Sequence, residues 1–314
     1  METSAPVARM RSKKRLGDVL FSSAALAAGI LILVALAAVT IFLVAQALPA
    51  FTADPADVSK DGRGFWSFVV PLVFGTIWAA ALALLFALPL SIGIALFISH
   101  YAPRRIALAL GYIVDLLAAV PSVVFGLWGI TVLAPAMQPV YAGLVDSLGW
   151  IPLFAGPVSG TGRTILTVAL VLAVMILPII TALSREVFLQ TPRLHEEAAL
   201  ALGATRWEMI RMAVLPFGRP GLISATMLGL GRALGETMAV AMVLSPSVII
   251  SFALLTSQNP TTIAANIALN FPEASGIGVN VLIATGLVLF LITLLVNSLA
   301  RFIINRRKEF SGAN

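Results

Sequence analysis

The sequence predicts an all-α integral membrane protein with six transmembrane helices and with both termini in the cytoplasm. Three observations support this fold class: an apolar composition, six long apolar runs, and an uneven distribution of Lys and Arg between the connections. Of the 314 residues, 60% are hydrophobic and 11% are charged, whereas a soluble domain carries about 25% charged residues. The mean hydropathy of +1.02 agrees. So much apolar surface needs lipid as its solvent.

The six apolar runs each exceed the ~20 residues that a spanning helix needs. They cover residues 19–48, 65–99, 106–133, 165–188, 222–244 and 277–304. Pro71, Pro89 and Pro121 mark kinks or an interfacial start. The predicted organisation is a basic cytoplasmic tail at 1–18, the first transmembrane helix at 19–48, a core of five transmembrane helices at 65–304 with a cytoplasmic connection at 185–221, and a cytoplasmic tail at 305–314.

The positions of Lys and Arg predict the orientation, because cytoplasmic connections carry the excess of positive charge. Sixteen of the 20 fall on one side: Arg9, Arg11, Lys13, Lys14, Arg15, Arg104, Arg105, Arg185, Arg193, Arg206, Arg211, Arg219, Arg301, Arg306, Arg307 and Lys308. The other side holds Lys60, Arg63 and Arg163, and Arg232 lies within the fifth run. This bias places both termini in the cytoplasm.

A cleavable signal peptide is the alternative for the first run, since its start is basic and residues 47–50 form a cleavage-like stretch. The run is far longer than the about 7–15 residues of a signal core. We therefore favour an uncleaved span. Two long outer loops are predicted at residues 135–162 and 245–276, and in the second Thr261 is predicted to cap a short helix that ends at Leu269.

The composition excludes several kinds of site. With no cysteine, disulfides, thiolate metal sites and cysteine nucleophiles are excluded. His100 and His195, the two histidines, are too far apart in sequence to favour a metal centre. The net charge of +6 follows from the topology and does not indicate nucleic acid. The sequence contains no P-loop and no HExxH motif or Ser-His-Asp candidate, so we expect no catalytic residue, metal or cofactor, and an external source of energy.

The cytoplasmic connection is patterned as two short helices. Thr191-Pro192 is predicted to start the first helix as N-cap and first helical residue, and Gly203 is predicted to end it as a left-handed cap. Thr205 and Glu208 form a capping box for the second helix, which is predicted to stop near Pro216. From the residues alone, this pair is either a rigid element that docks into a partner's groove or an ordinary interfacial hairpin.

Two opposite charges lie within the fifth run. Arg232 and Glu236 are one helical turn apart, which predicts that they share a helix face. Intramembrane charges usually face a bundle interior or an aqueous path. We favour the interpretation that Arg232 lines the route of an oxyanion, for which guanidinium is well suited, and that Glu236 holds Arg232 when the anion is absent. The alternative is a buried ion pair that sets the helix register.

Two further features in the apolar runs leave alternatives open. Gly231 and Gly235 form a small-residue face that permits close helix contact, either with a second subunit or within the chain. Asp115 lies six residues before Pro121 in the third run. It is either near a polar backbone at a cavity or near the cytoplasmic interface beside a plain kink, and we favour the interface.

The cytoplasmic connection resembles the EAA loop of ABC importer permeases. Glu197-Ala198-Ala199, Gly203 after three intervening residues, and Leu215-Pro216 carry the resemblance. Ala213 stands where that family usually has a larger aliphatic residue. The resemblance implies a type I ABC importer permease architecture in which Glu197, Ala198, Ala199 and Gly203 contact a partner ATPase subunit.

Residues 229–240 and Pro121-Ser122-Val123-Val124-Phe125-Gly126-Leu127 resemble phosphate-specific permeases of the PstC type. The Arg-Ala-Leu-Gly-Glu-Thr stretch differs from the Arg-Ala-Ala-Gly-Glu-Thr pattern of the PstA type. The resemblance implies an inorganic phosphate path at Arg232 and Glu236, to which we add Thr237. It also implies a PstA-type sister permease, two copies of a PstB-type ATPase, a PstS-type extracytoplasmic binding protein and a bacterial inner membrane. The alternatives are a molybdate or sulfate permease, a gradient-driven carrier and, less favoured, a membrane enzyme.

Overall fold

The computed structural model describes residues 16–59 and 61–308. The predicted basic residues at 9–15, Lys60, and residues 309–314 of the predicted C-terminal tail lie outside the described residues. The described helices are α1 Leu16–Phe51, α2 Pro55–Val58, α3 Phe65–Leu96, α4 Arg104–Ala118, α5 Ser122–Trp128, α6 Ala134–Leu148, α7 Ile165–Leu189, α8 Arg193–Ala201, α9 Arg206–Met209, α10 Leu215–Leu234, α11 Met238–Val243, α12 Ile263–Asn270 and α13 Ile277–Lys308. Strands β1 Pro246–Ser247 and β2 Asn259–Pro260 pair in parallel.

Within the described part of the chain, six helical segments are long and apolar enough to cross a membrane. They are Gly17–Phe51, Phe65–Tyr101, Ser122–Leu148, Ile165–Leu189, Arg206–Leu234 and Ile277–Phe302. The predicted number of spans is therefore confirmed. The first, second, fourth and sixth spans also begin within a few residues of their predicted positions.

The third span lies further along the chain than predicted. Instead of one helix over residues 106–133, α4 ends at Ala118 and a new helix starts at Ser122, with Pro121 as its N-cap residue at φ −59° and ψ 139°. Proline disfavours helical geometry in the residue before it, so the chain turns here although apolar residues flank the turn on both sides. The span then continues through α6, so the first half of the predicted outer loop 135–162 is helical.

The fifth span also differs from its predicted bounds of 222–244. The helix that begins at Arg206 does not stop near Pro216 but continues to Leu234. A π-helical turn at residues 210–214 makes this possible, because the Leu215 N–H reaches back to the Ile210 carbonyl and the wider turn relieves the proline ring's clash with the preceding carbonyls. The third span uses the same device, with a π-helical turn at residues 129–133 ahead of Pro135.

Helix α7 is the centre of the bundle. It packs against α3 and α10, and 72% of the residues in its most apolar 18-residue stretch are buried. Ser91 donates a hydrogen bond to the Leu177 carbonyl at 3.1 Å, which ties α3 to α7. In contrast, no residue in the most apolar 18-residue stretch of α1 is buried, and α1 packs mainly against α13. Lipid or another subunit must cover α1.

The outer loop 245–276 is held down by hydrogen bonds to the bundle. The Arg63 Nη1 donates to the Val248 carbonyl at 2.7 Å, and the Ile263 N–H donates to Thr76 Oγ1 at 3.0 Å. The cap of α12 is Thr262 rather than the predicted Thr261, because Thr262 Oγ1 accepts from the Ala265 N–H. The predicted cap was one residue too early, because both of two adjacent threonines are suitable N-cap residues.

Candidate functional site

The fifth span ends in a sharp break that carries Glu236. Helix α10 ends at Leu234, and α11 begins at Met238. In the break, the Glu236 side chain is buried and its Oε1 accepts a hydrogen bond from the Ala239 N–H at 3.0 Å. Thr237 Oγ1 donates to the Gly235 carbonyl at 3.1 Å. Glu236 therefore satisfies one of the free N–H groups at the start of α11.

This break separates Arg232 from Glu236, so the prediction that they share a helix face is wrong. Ion pairs with atoms closer than 4.0 Å, among the described residues, join Arg63 to Asp61, His100 to Glu196 and Arg185 to Asp115. Arg232 and Glu236 are not such a pair. The Arg232 Nε is instead buried and has no hydrogen-bond partner in the described part of the chain. Periodicity misled the prediction because it assumes that the helix continues through Gly235.

Arg232 lines a cavity of about 680 Å³ on the cytoplasmic side of the break. Ser224, Arg232, Asn297 and Arg301 are the polar side chains in its lining, and none of the described lining residues is acidic. The cavity therefore has a positive electrostatic character. This arrangement can attract an anion, and it offers guanidinium groups whose planar donors match the oxygens of phosphate.

Arg163 holds the far end of α11, a contact that the sequence did not predict. Its Nη2 donates to the Met242 and Leu244 carbonyls at 3.2 and 3.0 Å, and its Nε donates to the Val243 carbonyl at 3.3 Å. These three carbonyls lack partners within the helix. The short helix is thus fixed at its start by Glu236 and at its end by Arg163. In the sequence, Arg163 differs in no way from an ordinary outer-loop cation.

Helices α8 and α9 form the predicted cytoplasmic hairpin. Gly203 has φ +85°, and the Gly203 and Ala204 N–H groups donate to the Leu200 and Ala199 carbonyls at 3.0 and 3.2 Å. This is the Schellman arrangement expected of a left-handed glycine cap. The capping box of Thr205 and Glu208 is also present. The prediction for Thr191 is wrong: Pro192 occupies the N-cap position, and α8 begins at Arg193.

The hairpin presents an exposed surface that includes most of the predicted coupling residues. Glu197, Ala198 and Gly203 are exposed, whereas Ala199 is half-buried against the apolar cluster around Ile210. Three large apolar side chains that sequence reasoning missed protrude beside them: Leu194 is 75%, Leu202 is 90% and Trp207 is 55% exposed. Neighbouring exposed apolar groups of this kind can be covered by a partner protein or by lipid. We call α8, α9 and the corner between them the coupling surface.

The coupling surface is connected to the spans in two ways. His100 Nε2 lies 3.5 Å from Glu196 Oε1, which joins the end of the second span to α8. The apolar cluster that includes Leu96, Phe188 and Ile210 packs beneath the hairpin and joins the second, fourth and fifth spans. The coupling surface is therefore in contact with several spans at once.

The structure also separates two alternatives that the residues left open. Asp115 Oδ2 lies 3.9 Å from Arg185 Nη2, near the end of α7 that leads into the coupling surface, which places Asp115 at the cytoplasmic interface. A Cβ on Gly231 would meet nothing within 4 Å. A Cβ on Gly235 would meet only the Gly231 carbonyl oxygen, at 3.5 Å. Among the described residues this face therefore makes no close contact with another helix, and contact with a second subunit remains a prediction.

Comparison with known proteins gives consistent matches. Residues 87–309 match the family described as binding-protein-dependent transport system inner membrane component. The phosphate transport system permease protein PstC 2 of Mycobacterium tuberculosis is 47% identical over 94% of this chain and 93% of that protein. The phosphate transport system permease protein PstC of Mesorhizobium japonicum is 40% identical over 95% of this chain and 93% of that protein.

A solved structure shares the fold. It is the crystal structure of a bacterial ABC transporter involved in the import of the acidic polysaccharide alginate, which matches with a TM-score of 0.62 over 92% of this chain and 96% of that chain. The sequence identity is 20%, so this match concerns the architecture of the bundle. The chain is thus a multi-pass protein of the bacterial inner membrane with an importer permease fold.

Proposed function

The chain belongs to the family of binding-protein-dependent transport system inner membrane components, and we propose from this premise that it is the transmembrane permease subunit of an ATP-driven importer of inorganic phosphate. The two relatives described above, which match nearly the whole of this chain, are named as phosphate transport permeases. The chain itself hydrolyses nothing in this proposal. ATP hydrolysis belongs to a partner ATPase.

The proposal that the substrate is phosphate depends on the position of Arg232. A charge within a membrane span is costly and is rare outside functional sites. Arg232 nevertheless has no ion pair among the described residues, and it lines a cavity that is large enough to hold water. A structural arginine would be paired or hydrogen-bonded. Guanidinium binds phosphate through parallel hydrogen bonds, and a site used for passage must release the ion as readily as it binds it.

Glu236 has a different proposed role from the one that the sequence indicated. Its hydrogen bond to the Ala239 N–H fixes the start of α11, and with Thr237 it determines the shape of the break next to Arg232. We keep Glu236 and Thr237 in the proposed phosphate path as residues that shape it. The negative charge of Glu236 also opposes strong retention of an anion at that level.

The continuous helix from Arg206 to Leu234 supports a mechanism for coupling. Arg206 belongs to the coupling surface, and Arg232 lies 26 residues further on, about 39 Å along one helix. Movement of the ATPase subunits against Glu197, Ala198, Ala199 and Gly203 would shift this helix and change the access to Arg232. The proposed partners are a PstA-type sister permease, two copies of a PstB-type ATPase and a PstS-type phosphate-binding protein.

The test is uptake of labelled phosphate by proteoliposomes that contain the chain with these partners. We expect uptake that requires ATP and the binding protein, and a loss of at least about tenfold for Arg232→Gln. Arg219→Gln is the matched control, because Arg219 is exposed on the same helix and does not line the cavity. Uptake without ATP would contradict the importer proposal. Uptake of another oxyanion alone would contradict the substrate.

Two further variants separate the proposed roles. Glu236→Gln keeps an oxygen that can accept from the Ala239 N–H but removes the charge, so it should preserve assembly and change the uptake rate. Glu197→Ala should weaken co-purification of the ATPase, or reduce the ATP hydrolysis that accompanies transport, without loss of the sister permease. If Glu197→Ala affects neither measurement, the proposed coupling role of this residue is wrong.

A further inference from the structure

The cavity next to Arg232 contains a second guanidinium that the family resemblance did not indicate. Arg301, near the end of α13, lines the same cavity together with Asn297 and Ser224. Arg301 and Arg232 are 69 residues apart in the chain, but both line this cavity because α13 packs beside α10. Two cations that share a cavity repel each other, and none of the described lining residues is acidic. An anion bound near either guanidinium would reduce this repulsion.

The cavity extends from Arg232 toward the cytoplasm. Helix α10 runs outward from the coupling surface, so Ser224 lies about 12 Å nearer the cytoplasm than Arg232, eight residues away along the helix. Helix α13 runs in the opposite direction, and Arg301 lies close to its cytoplasmic end. An anion that leaves Arg232 inward therefore meets Arg301 next.

The side chains beside Arg301 supply donors rather than competitors. Neither Arg301 nor Asn297 forms an ion pair or a side-chain hydrogen bond with the rest of the described chain, so the guanidinium and the amide N–H groups are free to bind an oxygen. Ser224 lies at the cavity wall, but its hydroxyl already donates to the Pro220 carbonyl at 3.0 Å, so Arg301 and Asn297 are the donors. Apolar residues such as Leu228 and Met227 complete the lining, which lowers the local dielectric and strengthens the attraction of an anion.

We propose that Arg301 and Asn297 form a second binding site for a tetrahedral phosphate oxyanion, on the cytoplasmic side of Arg232, which accepts the ion on its way into the cell. The inference rests on the proposed phosphate import. Two weak sites in series allow faster release than one tight site, because the ion is never held by both guanidiniums at full strength. The same chemistry suits the phosphodiester of an anionic lipid, so the experiment distinguishes the two sources.

The first measurement is the rate of ATP-driven phosphate uptake by the reconstituted complex. We expect Arg301→Gln to lower the maximal rate by about tenfold, the loss of one charge-assisted contact. The phosphate concentration at half-maximal rate should stay the same, because the binding protein captures the ion before this step. Arg301→Lys should be intermediate, since it keeps the charge without the planar fork. Arg219→Gln should match the unsubstituted chain. Co-purification of the partners checks assembly of each variant.

The second measurement detects occupancy of the site without transport. The chain has no cysteine, so a Ser224→Cys variant carries a single thiol at the cavity wall. Its labelling rate by an anionic thiol reagent is measured in nanodiscs of zwitterionic lipid and in nanodiscs that contain phosphatidylglycerol, each with and without inorganic phosphate. Labelled chain is resolved from the partner subunits by gel. We expect phosphate to slow labelling in both lipids, and Arg301→Gln to abolish that protection.

The outcomes separate the inference from the proposed function. If Arg301→Gln transports as fast as the unsubstituted chain and phosphate gives no protection, the second site is refuted while the importer proposal stands. If phosphatidylglycerol slows labelling and inorganic phosphate does not, the cavity binds lipid and its place on the transport path is refuted. If the unsubstituted complex takes up no phosphate, the proposed function fails, and protection by phosphate still reports whether the site exists.

Discussion

The corner of the coupling surface depends on one glycine, which makes Gly203→Ala an informative substitution. Gly203 has φ +85°, a conformation that an L residue other than glycine adopts at a cost of roughly 1–2 kcal/mol. A Cβ at this position would meet nothing within 4 Å, so no steric clash adds to that cost. The whole effect is backbone strain at the corner, and it should open the corner about 5–30 times more often.

Hydrogen exchange is the direct measurement. The Gly203 and Ala204 N–H groups close the corner by bonding to the Leu200 and Ala199 carbonyls, and in Gly203→Ala these amides should exchange about 5–30 times faster. Gly203→Asn is the matched control, because asparagine tolerates the left-handed region better than alanine and should show a smaller increase. ATPase co-purification should weaken in the same order. Unchanged exchange in Gly203→Ala, or an equal effect of both substitutions, would refute the strain argument.

Three other substitutions test local contacts. Thr205→Ala removes the capping box and should destabilise α9 by about 1 kcal/mol, seen as faster exchange of the Glu208 N–H, whereas Thr205→Ser should not. Arg163→Met removes the hydrogen bonds to three carbonyls at the end of α11 and should lower the thermal unfolding midpoint of the purified complex by roughly 4 °C, for a loss of about 2 kcal/mol. Gly75→Ala should cost about 1–3 kcal/mol in the same thermal measurement, because its Cβ would meet the carbonyl oxygens of the outer loop.

Each of these substitutions has a result that would contradict its physical reason. Equal exchange rates in the alanine and serine variants of Thr205 would show that the hydroxyl does not hold the helix start. We expect Arg163→Lys to lower the thermal unfolding midpoint as much as Arg163→Met, since lysine cannot bridge three carbonyls. If Arg163→Lys keeps the midpoint of the unsubstituted chain, the hydrogen bonds to these carbonyls are not the cause of the stabilisation. Gly93 lies on the same helix as Gly75 with no atom near its Cβ, so a similar loss in Gly93→Ala would show that the cost at Gly75 is not steric.

The local features of this protein were accessible from the sequence because each depends on neighbouring residues. A long hydrophobic run predicts a span without knowledge of distant contacts, and the predicted number of six spans is present, with the third displaced along the chain. The capping box and the glycine cap involve residues within five positions of each other, and both are present as predicted. The prolines were harder to interpret. Pro121 lies at a break between two helices, as the N-cap of the second, while Pro135 and Pro216 are accommodated by π-helical turns.

By itself, the sequence determined the membrane fold, the orientation, the two-helix cytoplasmic hairpin and the presence of Arg232 and Glu236 around the end of the fifth span. Its hydropathy, its positive charges and its caps act locally and need no knowledge of distant contacts. Only the tertiary structure decided that the helix breaks after Leu234, that Glu236 serves α11 instead of Arg232, and that Arg163 clamps carbonyls about 80 residues away. It likewise brought Arg301 to the cavity of Arg232. Long-range packing creates these contacts, and no spacing along the chain encodes them.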